Sequence, residues 1–318
     1  MSDSDLEAAV RAVVRDCLGV SAGEEVLVIC NPVTQGLGER LRAEGQEAGG
    51  DATLAVIAER DSHAAEPPRP VGAAMSGADV VLAPTVQSLS HTSARKVASE
   101  KGVRIATLPG VTEEMLARVM SADMEELRRK GRAVAAALND ASEVRITCSR
   151  GSDLRLGLEG RKGIVDAGEL SEPGAFGNLP CGEGFIAPVE GTGEGTLVVD
   201  GSIAAIGRTP NPVTLTVREG HLVEATETDG ARLMALLTEH GEGGTNVAEL
   251  GVSTNEKAKL TGEILEDEKI LGTVHVAFGA SAAIGGAVQV PVHLDCVVLA
   301  PEVTVDGEPL VRDGELLV

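Results

Sequence analysis

Short apolar runs alternate with segments of helical spacing over the first 140 residues of the chain. Runs of about six apolar residues that end in turn residues predict strands, and apolar positions spaced three and four apart predict helices. Strands that alternate with helices are typical of a parallel sheet in a doubly wound α/β domain. The predicted strands cover residues 24–32, 51–59, 79–85 and 103–110, and the main predicted helices cover 4–19, 34–50 and 113–140.

From about residue 142 apolar and polar residues alternate, which is typical of antiparallel strands. A Gly-Ser-Asp turn within 142–161 predicts a hairpin. Two helices are expected inside this region, at 229–240 and 256–270. The sequence therefore predicts a doubly wound α/β domain over residues 1–141, followed by a β-rich α+β domain over 142–318.

Charge limits the classes of partner. The chain has 27 basic and 49 acidic residues, a formal net charge of −22. Such a surface repels nucleic acid and anionic membranes, so neither is an expected partner. Abundant acidic residues, few lysines, and no tryptophan or tyrosine agree with a salt-adapted proteome, whereas a GC-rich genome explains the arginine and alanine equally well.

Location and redox chemistry follow from two further observations. The N-terminus is acidic and has no apolar signal core, and no run of about 18 apolar residues occurs, so we expect a cytoplasmic protein. The cysteines are odd in number, widely spaced and without a CxxC pair, which argues against a disulfide framework and against a zinc–thiolate site. They are Cys17, Cys30, Cys148, Cys181 and Cys296.

Polar side chains interrupt several apolar runs late in the chain. In "VPVHLDCVV" (290–298), His293 and Asp295 lie two residues apart, and in a strand that spacing places both on one face. His275 interrupts the apolar segment 272–279 in the same way. An ionised carboxylate in a core is costly unless a positive or hydrogen-bonding group meets it. Hydrogen-bonded core residues are one interpretation, and a zinc, manganese, cobalt or iron site is the other.

Two glutamates lie in similarly apolar surroundings. Glu183 stands in "LPCGEGFIAP" and Glu249 in "NVAELGVSTN". A cation shared with the histidines would stabilise both carboxylates, whereas the acidic residues at 266–268 are interpreted as a solvated helix face. The sequence has no HExxH, no P-loop and no GxSxG motif.

Long segments of the chain resemble a known family. Residues 178–203, 246–279 and 290–307, and more loosely 83–116, are similar to the aminopeptidase T-type leucyl aminopeptidases, which are metallopeptidases. The resemblance implies a homodimeric hydrolase that acts on small peptides or related amides. It also implies a dinuclear centre of zinc, cobalt or manganese that activates a water molecule.

The same resemblance carries a ligand set onto this chain. A further family ligand corresponds to Glu268, although two more residues separate it from the first histidine than in the family. Glu249, or Glu183, would serve as the catalytic base if it is not a direct ligand. The family places a tyrosine where this chain has Ala282. The implied metal ligands are Glu183, Glu249, His275, His293 and Asp295.

A loop in the N-terminal half is the expected substrate contact. In "QSLSHTSAR", the resemblance implies that Ser88, His91 and Arg95 face the substrate. Helix capping by Ser90 or Thr92, with a solvated histidine, is the alternative interpretation.

Two other functions remain open. Ring-cleaving 2,5-dihydroxypyridine dioxygenases have a similar fold and hold one Fe(II) by two histidines and a carboxylate, which His275, His293 and Asp295 would supply. Retention of Glu183 and Glu249 favours the hydrolase. A metal-stabilised binding protein that has lost turnover is the non-enzymatic alternative, which the missing tyrosine permits.

Overall fold

The computed structural model describes residues 2–318, which divide into two compact units. The first unit runs to Met124 and includes Asp166–Cys181, and the second comprises Glu125–Val165 and Gly182–Val318. The predicted domain division near residue 141 stays a prediction. The chain passes from the first compact unit to the second after Met124, and the later segment 166–181 belongs to the first unit.

Elements of both kinds occur along the whole described chain. The α-helices within residues 2–318 are α1 Asp3–Arg11, α2 Gln35–Glu47, α3 Arg69–Met75, α4 Ser93–Glu100, α5 Glu113–Val119, α6 Met124–Leu138, α7 Glu227–Thr238 and α8 Ile264–Asp267. The strands in the same range are β1 Glu25–Cys30, β2 Asp51–Val56, β3 Val80–Ala83, β4 Arg104–Thr107, β5 Glu143–Thr147, β6 Asp153–Gly157, β7 Ile164–Asp166, β8 Phe176–Asn178, β9 Glu183–Ile186, β10 Glu194–Val199, β11 Ser202–Ile203, β12 Gly207–Arg208, β13 Val213–Arg218, β14 His221–Ala225, β15 Val247–Ser253, β16 Val274–Gly279, β17 His293–Val298, β18 Glu302–Val305, β19 Glu308–Arg312 and β20 Glu315–Leu316.

The first unit is built on a parallel sheet of strand order β2-β1-β3-β4-β8. Its strands β1, β3 and β4 are almost fully buried, as expected when helices flank a parallel sheet. The predicted α/β class is confirmed, and the predicted strands fall on β1 to β4. Its core includes Leu27, Ile29, Met75, Val81, Ala83, Leu89 and Ile105.

A buried asparagine ties together the ends of three segments in this unit. Asn31 follows β1, its Nδ2 donates to the carbonyl of Ile57 (3.0 Å), and its Oδ1 accepts from the backbone N–H of Val86 (2.7 Å). Its own N–H donates to the Thr34 hydroxyl (3.0 Å). The side chain is only 1% exposed. Asn31 therefore supplies polar partners to loops at the carboxyl end of the sheet.

The second unit holds two largely antiparallel sheets. One has the order β14-β13-β10-β6-β5-β18-β19-β20, and the other has the order β12-β11-β17-β16-β15-β9-β7. The predicted hairpin at 142–161 is confirmed as β5 paired with β6. Apolar side chains of both sheets, with Val134 and Leu138 of α6 and Leu233 of α7, form one core. The second sheet carries the candidate site on its other face.

Two predicted helices differ from the structure. The single helix expected over 113–140 is two helices, α5 and α6. The N–H and hydroxyl of Ser121 both donate to the carbonyl of Arg118 (3.2 and 2.6 Å), which ends α5 locally.

The helix expected over 256–270 is reduced to the single turn α8. The Asp267 carboxylate accepts from the N–H groups of Thr261 (2.7 Å) and Gly262 (2.8 Å), and Glu266 accepts from the N–H of Lys259 (2.8 Å). Gly262 has a φ of +99°, in the left-handed region. The acidic residues interpreted as a solvated face are therefore buried and hold a loop.

The structure also bears on two expectations from the sequence, which concern disulfides and membrane-spanning helices. None of the five cysteines forms a disulfide within residues 2–318. No helix in that range is both long enough and apolar enough to cross a membrane.

Replacing Asn31 by alanine should leave the Ile57 carbonyl and the Val86 N–H without their side-chain partners. We expect the free energy of unfolding to fall by about 1–3 kcal/mol, since each buried group loses a hydrogen bond. Urea denaturation followed by circular dichroism measures the change. The control is Asn139→Ala at an exposed position. Equal midpoints for the two variants would contradict the structural role of Asn31.

Candidate metal centre

In the second unit, one face of the sheet β12-β11-β17-β16-β15-β9-β7 is polar. The register places Glu249 of β15, Ala277 of β16 and Asp295 of β17 in one row across the sheet. In the neighbouring rows Gly251 pairs with His275, and Gly279 pairs with His293. Glu183 of β9 pairs with Ser253 in a further row. Because paired residues point to the same face, these side chains converge.

The opposite face of the same strands is apolar. Leu294, Cys296 and Val298 alternate with His293 and Asp295 along β17 and belong to the core. This alternation accounts for the apolar segment 290–298, in which two polar residues share one face. His275 is 1% exposed, as predicted, whereas the His293 and Asp295 side chains are each 13% exposed.

A β-bulge aims Glu249 at the polar face. Val247 pairs with Phe278, but Glu249 pairs with the next residue, Ala277, so Ala248 is the extra residue. Without the bulge Val247 and Glu249 would share a face, because their spacing is two. The bulge instead leaves Val247 in the core and turns Glu249 towards the histidines.

The imidazole of His275 lies over a glycine on the neighbouring strand. A Cβ added at Gly251 would stand 2.0 Å from His275 Nε2. Any larger residue at Gly251 would occupy the space that the ring needs. Gly251 is therefore part of the site although it has no functional group.

Nitrogen and oxygen atoms of the polar face lie close together. His275 Nε2 is 3.0 Å from Glu183 Oε2 and 3.3 Å from Glu249 Oε1. His293 Nε2 is 3.4 Å from Glu249 Oε2 and 3.6 Å from Asp295 Oδ1. Among residues 2–318, these atoms form two potential metal-binding groups that share Glu249. One is Glu183, Glu249 and His275, and the other is Glu249, His293 and Asp295.

The electrostatics of the cluster favour positive charge at both imidazoles. Burial opposes protonation of His275, but the carboxylates of Glu183, Glu249 and Asp295 together outweigh it and raise the pKa of His275 well above its usual value. Burial likewise opposes protonation of His293, and Asp295 raises that pKa. Burial also opposes ionisation of Glu249, yet hydrogen bonds from the two histidines lower its pKa. The same negative field would attract a divalent cation.

The donor atoms fit a metal ion. Glu183 Oε2, which lies 3.0 Å from His275 Nε2, is buried and makes no hydrogen bond within the described residues 2–318. Ligands in adjacent positions, each about 2.1 Å from an ion, lie roughly 3 to 3.5 Å apart, close to the separations between these donors. Imidazole and carboxylate donors together suit zinc, manganese, cobalt or iron. The polar face is therefore a metal-binding site by geometry and by chemistry.

Glu268 lies at one end of the cluster, beside a lysine that the sequence analysis missed. Glu268 Oε1 is 3.0 Å from Lys269 Nζ, and the same ammonium group contacts Glu183 Oε1. Burial raises the pKa of Glu268 to about 8, with a further contribution from Asp295 and Glu183 and an opposing one from Lys269. Within residues 2–318, Glu268 does not join the two metal-binding groups. The sequence signal that could have identified Lys269 is its position directly before the apolar pair Ile270–Leu271.

The predicted substrate contacts lie in the first unit. Ser88 is 9% exposed and its hydroxyl donates to Ser90. Arg95 donates to the Ser90 carbonyl (2.6 Å) and its guanidinium lies 4.1 Å from the centre of the Phe176 ring. Thr92 caps α4, as one alternative predicted, and His91 is exposed. Substrate contact by Ser88, His91 and Arg95 stays a prediction.

Comparison with known proteins decides the family. The family model of NicX, 2,5-dihydroxypyridine 5,6-dioxygenase, matches residues 38–318. This chain belongs to that family. A curated member, the 2,5-dihydroxypyridine 5,6-dioxygenase of Pseudomonas putida KT2440, is 24% identical over 261 residues, which cover 77% of this chain and 72% of the relative. Because the family model describes an enzyme and matches residues 38–318, the expectation that this chain is an enzyme is supported.

Solved structures share the fold. The structure of the 2,5-dihydroxypyridine dioxygenase from P. putida KT2440 superposes with a TM-score of 0.87 at 18% identity, covering 100% of this chain and 98% of the other. AmpT from Thermus thermophilus superposes with a TM-score of 0.75 at 19% identity, covering 99% of each chain. The resemblance to the aminopeptidases therefore lies in the fold.

The expected aminopeptidase function is wrong. The family match over residues 38–318 places the chain in the family of 2,5-dihydroxypyridine 5,6-dioxygenases, so neither hydrolase, protease nor aminopeptidase describes it. The retained Glu183 and Glu249, which favoured the hydrolase, occur here in a NicX family member. Ala282, at the family tyrosine position of the aminopeptidases, is exposed in a 3₁₀ turn at Ala282–Ile284.

Gly251→Ala tests the geometry of the centre. We expect the added methyl group to displace the His275 ring and to weaken binding of Mn²⁺ by at least about 10-fold, as for other losses of ligand support. Equilibrium dialysis measures the affinity. The matched control is Gly36→Ala, whose Cβ meets only the Glu113 carboxylate at 3.7 Å. Unchanged affinity in a folded Gly251→Ala protein would contradict the described packing of His275.

Proposed function

We propose that the protein is an Fe(II)-dependent dioxygenase that cleaves the ring of a small dihydroxylated aromatic compound of the 2,5-dihydroxypyridine type. The observation that carries this proposal is the placement of His275, His293 and Asp295 on the adjacent strands β16 and β17. They lie on one face, within a chain that belongs to the NicX family. Two histidines and one carboxylate with open positions are typical of non-haem Fe(II) oxygenases.

His293 is oriented for ligation by a backbone contact. Its Nδ1 lies 2.8 Å from the carbonyl oxygen of Ala280. Because a carbonyl can only accept, Nδ1 carries the proton, and Nε2, which faces Glu249 and Asp295, is the nitrogen that would bind a metal. Such a contact fixes both the tautomer and the ring orientation of a metal-binding histidine. His275 would bind through Nε2, the nitrogen that faces the carboxylates.

Bound Fe(II) supplies the redox chemistry with which molecular oxygen cleaves an aromatic ring. The protein supplies the acid–base groups. Glu249 places one carboxylate oxygen beside each histidine Nε2, at 3.3 and 3.4 Å. An ionised carboxylate in that position can accept the proton of a ring hydroxyl when the substrate binds and hold it at Oε1 or Oε2.

Exposure indicates the side from which substrate would enter. The His293 and Asp295 side chains are each 13% exposed, whereas His275 is 1% exposed and Lys269 is fully buried. Small residues, Ala277 and Gly279, stand in the rows of Asp295 and His293. Neither residue adds a large side chain to this end of the sheet.

The partner in this proposal is a small aromatic substrate. The absence of nucleic-acid and membrane partners stays a prediction from charge. The homodimer implied by the aminopeptidase resemblance also stays a prediction.

Oxygen uptake tests the proposal. Protein reconstituted anaerobically with Fe(II) should consume oxygen when 2,5-dihydroxypyridine is added, with loss of the ring absorbance in equal amount. Asp295→Ala should lower the rate by at least about 100-fold, because a direct ligand contributes more than the outer-shell groups whose loss costs 10- to 100-fold.

The control is Asp153→Ala, an exposed carboxylate on β6 paired with Arg145. It should retain the full rate. An iron-loaded protein that takes up no oxygen with this substrate, or one whose rate is unaffected by chelation and by Asp295→Ala, would contradict the proposed function.

A further inference from the structure

Lys269 is a fully buried lysine at the edge of the metal centre. It lies between α8 and β16, and its side chain is 0% exposed. Its Nζ contacts Glu183 Oε1 and lies 3.0 Å from Glu268 Oε1. A buried ammonium group is stable only when carboxylates or other acceptors compensate for its lost hydration. The ammonium and these two carboxylates are therefore mutually dependent.

The same carboxylates would be needed by a second metal ion. Glu183 belongs, with Glu249 and His275, to one of the two potential metal-binding groups among residues 2–318. The other group contains His293 and Asp295 and shares Glu249. Two divalent ions side by side require enough negative charge to offset their mutual repulsion. Lys269 already engages Glu183 and adds a positive charge at that end of the cluster.

The backbone around Lys269 holds the side chain in place. The N–H of Asn255 donates to the Lys269 carbonyl (2.9 Å), and the N–H of Leu271 donates back to the Asn255 carbonyl (3.0 Å). The Ser253 hydroxyl donates to the carbonyl of Glu268 (2.6 Å). These bonds attach residues 268–271 to the end of β15, the strand that carries Glu249. The ammonium group is thus a fixed part of the site.

We propose that Lys269 takes the place of a second metal ion and restricts the centre to one divalent cation. Its ammonium group contacts Glu183 and Glu268 and offsets negative charge at that end of the cluster, so a single ion binds, with His275, His293 and Asp295 as its ligands. Lys269 is then a positioning residue that selects a mononuclear centre from a cluster rich enough in donors for a dinuclear one. This inference rests on the proposed function, because it explains how one iron is selected.

Metal stoichiometry without oxygen or substrate tests the inference. Equilibrium dialysis against Mn²⁺, followed by elemental analysis, should give about one ion per wild-type chain. Lys269→Met removes the charge and keeps the length of the side chain. It should raise the count to about two at saturating Mn²⁺, and Mn²⁺ should raise the melting temperature of this variant more than that of the wild type. Lys257→Met, at a lysine 44% exposed, is the matched control and should bind one ion.

Two ions in the wild-type protein, or one ion in a folded Lys269→Met protein, would overturn the inference. If Lys269→Met does not fold even with Mn²⁺, Lys269→Gln serves instead, since its amide can still donate to Glu183. One ion in a folded Lys269→Gln protein would likewise overturn it. A count of one in the wild type and two in the variant, without oxygen uptake, would support the inference and contradict the proposed function.

Discussion

The concentration of carboxylates on one face of a buried sheet is the constraint on which the second unit depends. Glu249 lies within 4.8 Å of both Glu183 and Asp295, and the opposite neighbours of these residues along the strands belong to the apolar core. Such a face is stable only if positive charge meets it. Lys269 meets it at one end, and protonated histidines or a metal ion meet it at the other. Fold stability and metal binding are therefore coupled through the same side chains.

This constraint also connects the NicX family with the aminopeptidase fold. A chain of this fold can place the same kinds of ligand on the same strands and still perform different chemistry, because function depends on the site. Here the exposed end carries His293 and Asp295, and the closed end carries Lys269. In the proposed centre, the distribution of charge along the face, rather than the number of donor residues, determines that one metal ion binds instead of two.

Much of the fold and several site residues could be predicted from the sequence. The apolar runs located β1 to β4, and the spacing of His293 and Asp295 correctly indicated one face of a strand. The number of glutamates, however, suggested a hydrolase, since donors can be counted from a sequence while the charge that compensates them cannot. Lys269 is far from Glu183 along the chain, and only the fold brings them together.

Other features of the site could not be predicted from the sequence, also for physical reasons. The bulge at Ala248 breaks the period of two that strand prediction relies on, so the direction of Glu249 could not be read from its neighbours. Gly251 has no side chain to attract notice, and its role appears only in its row with His275. Glu266 and Asp267 looked like a helix surface because their partners are backbone N–H groups of a preceding loop.

Anomalous diffraction from crystals grown with Mn²⁺ in the absence of oxygen tests the central claim most directly. We expect one metal peak per chain, bonded to His275, His293 and Asp295, with the Lys269 ammonium group still on Glu183 and Glu268. A second peak between Glu183 and Glu268, or a single peak held there instead, would contradict it.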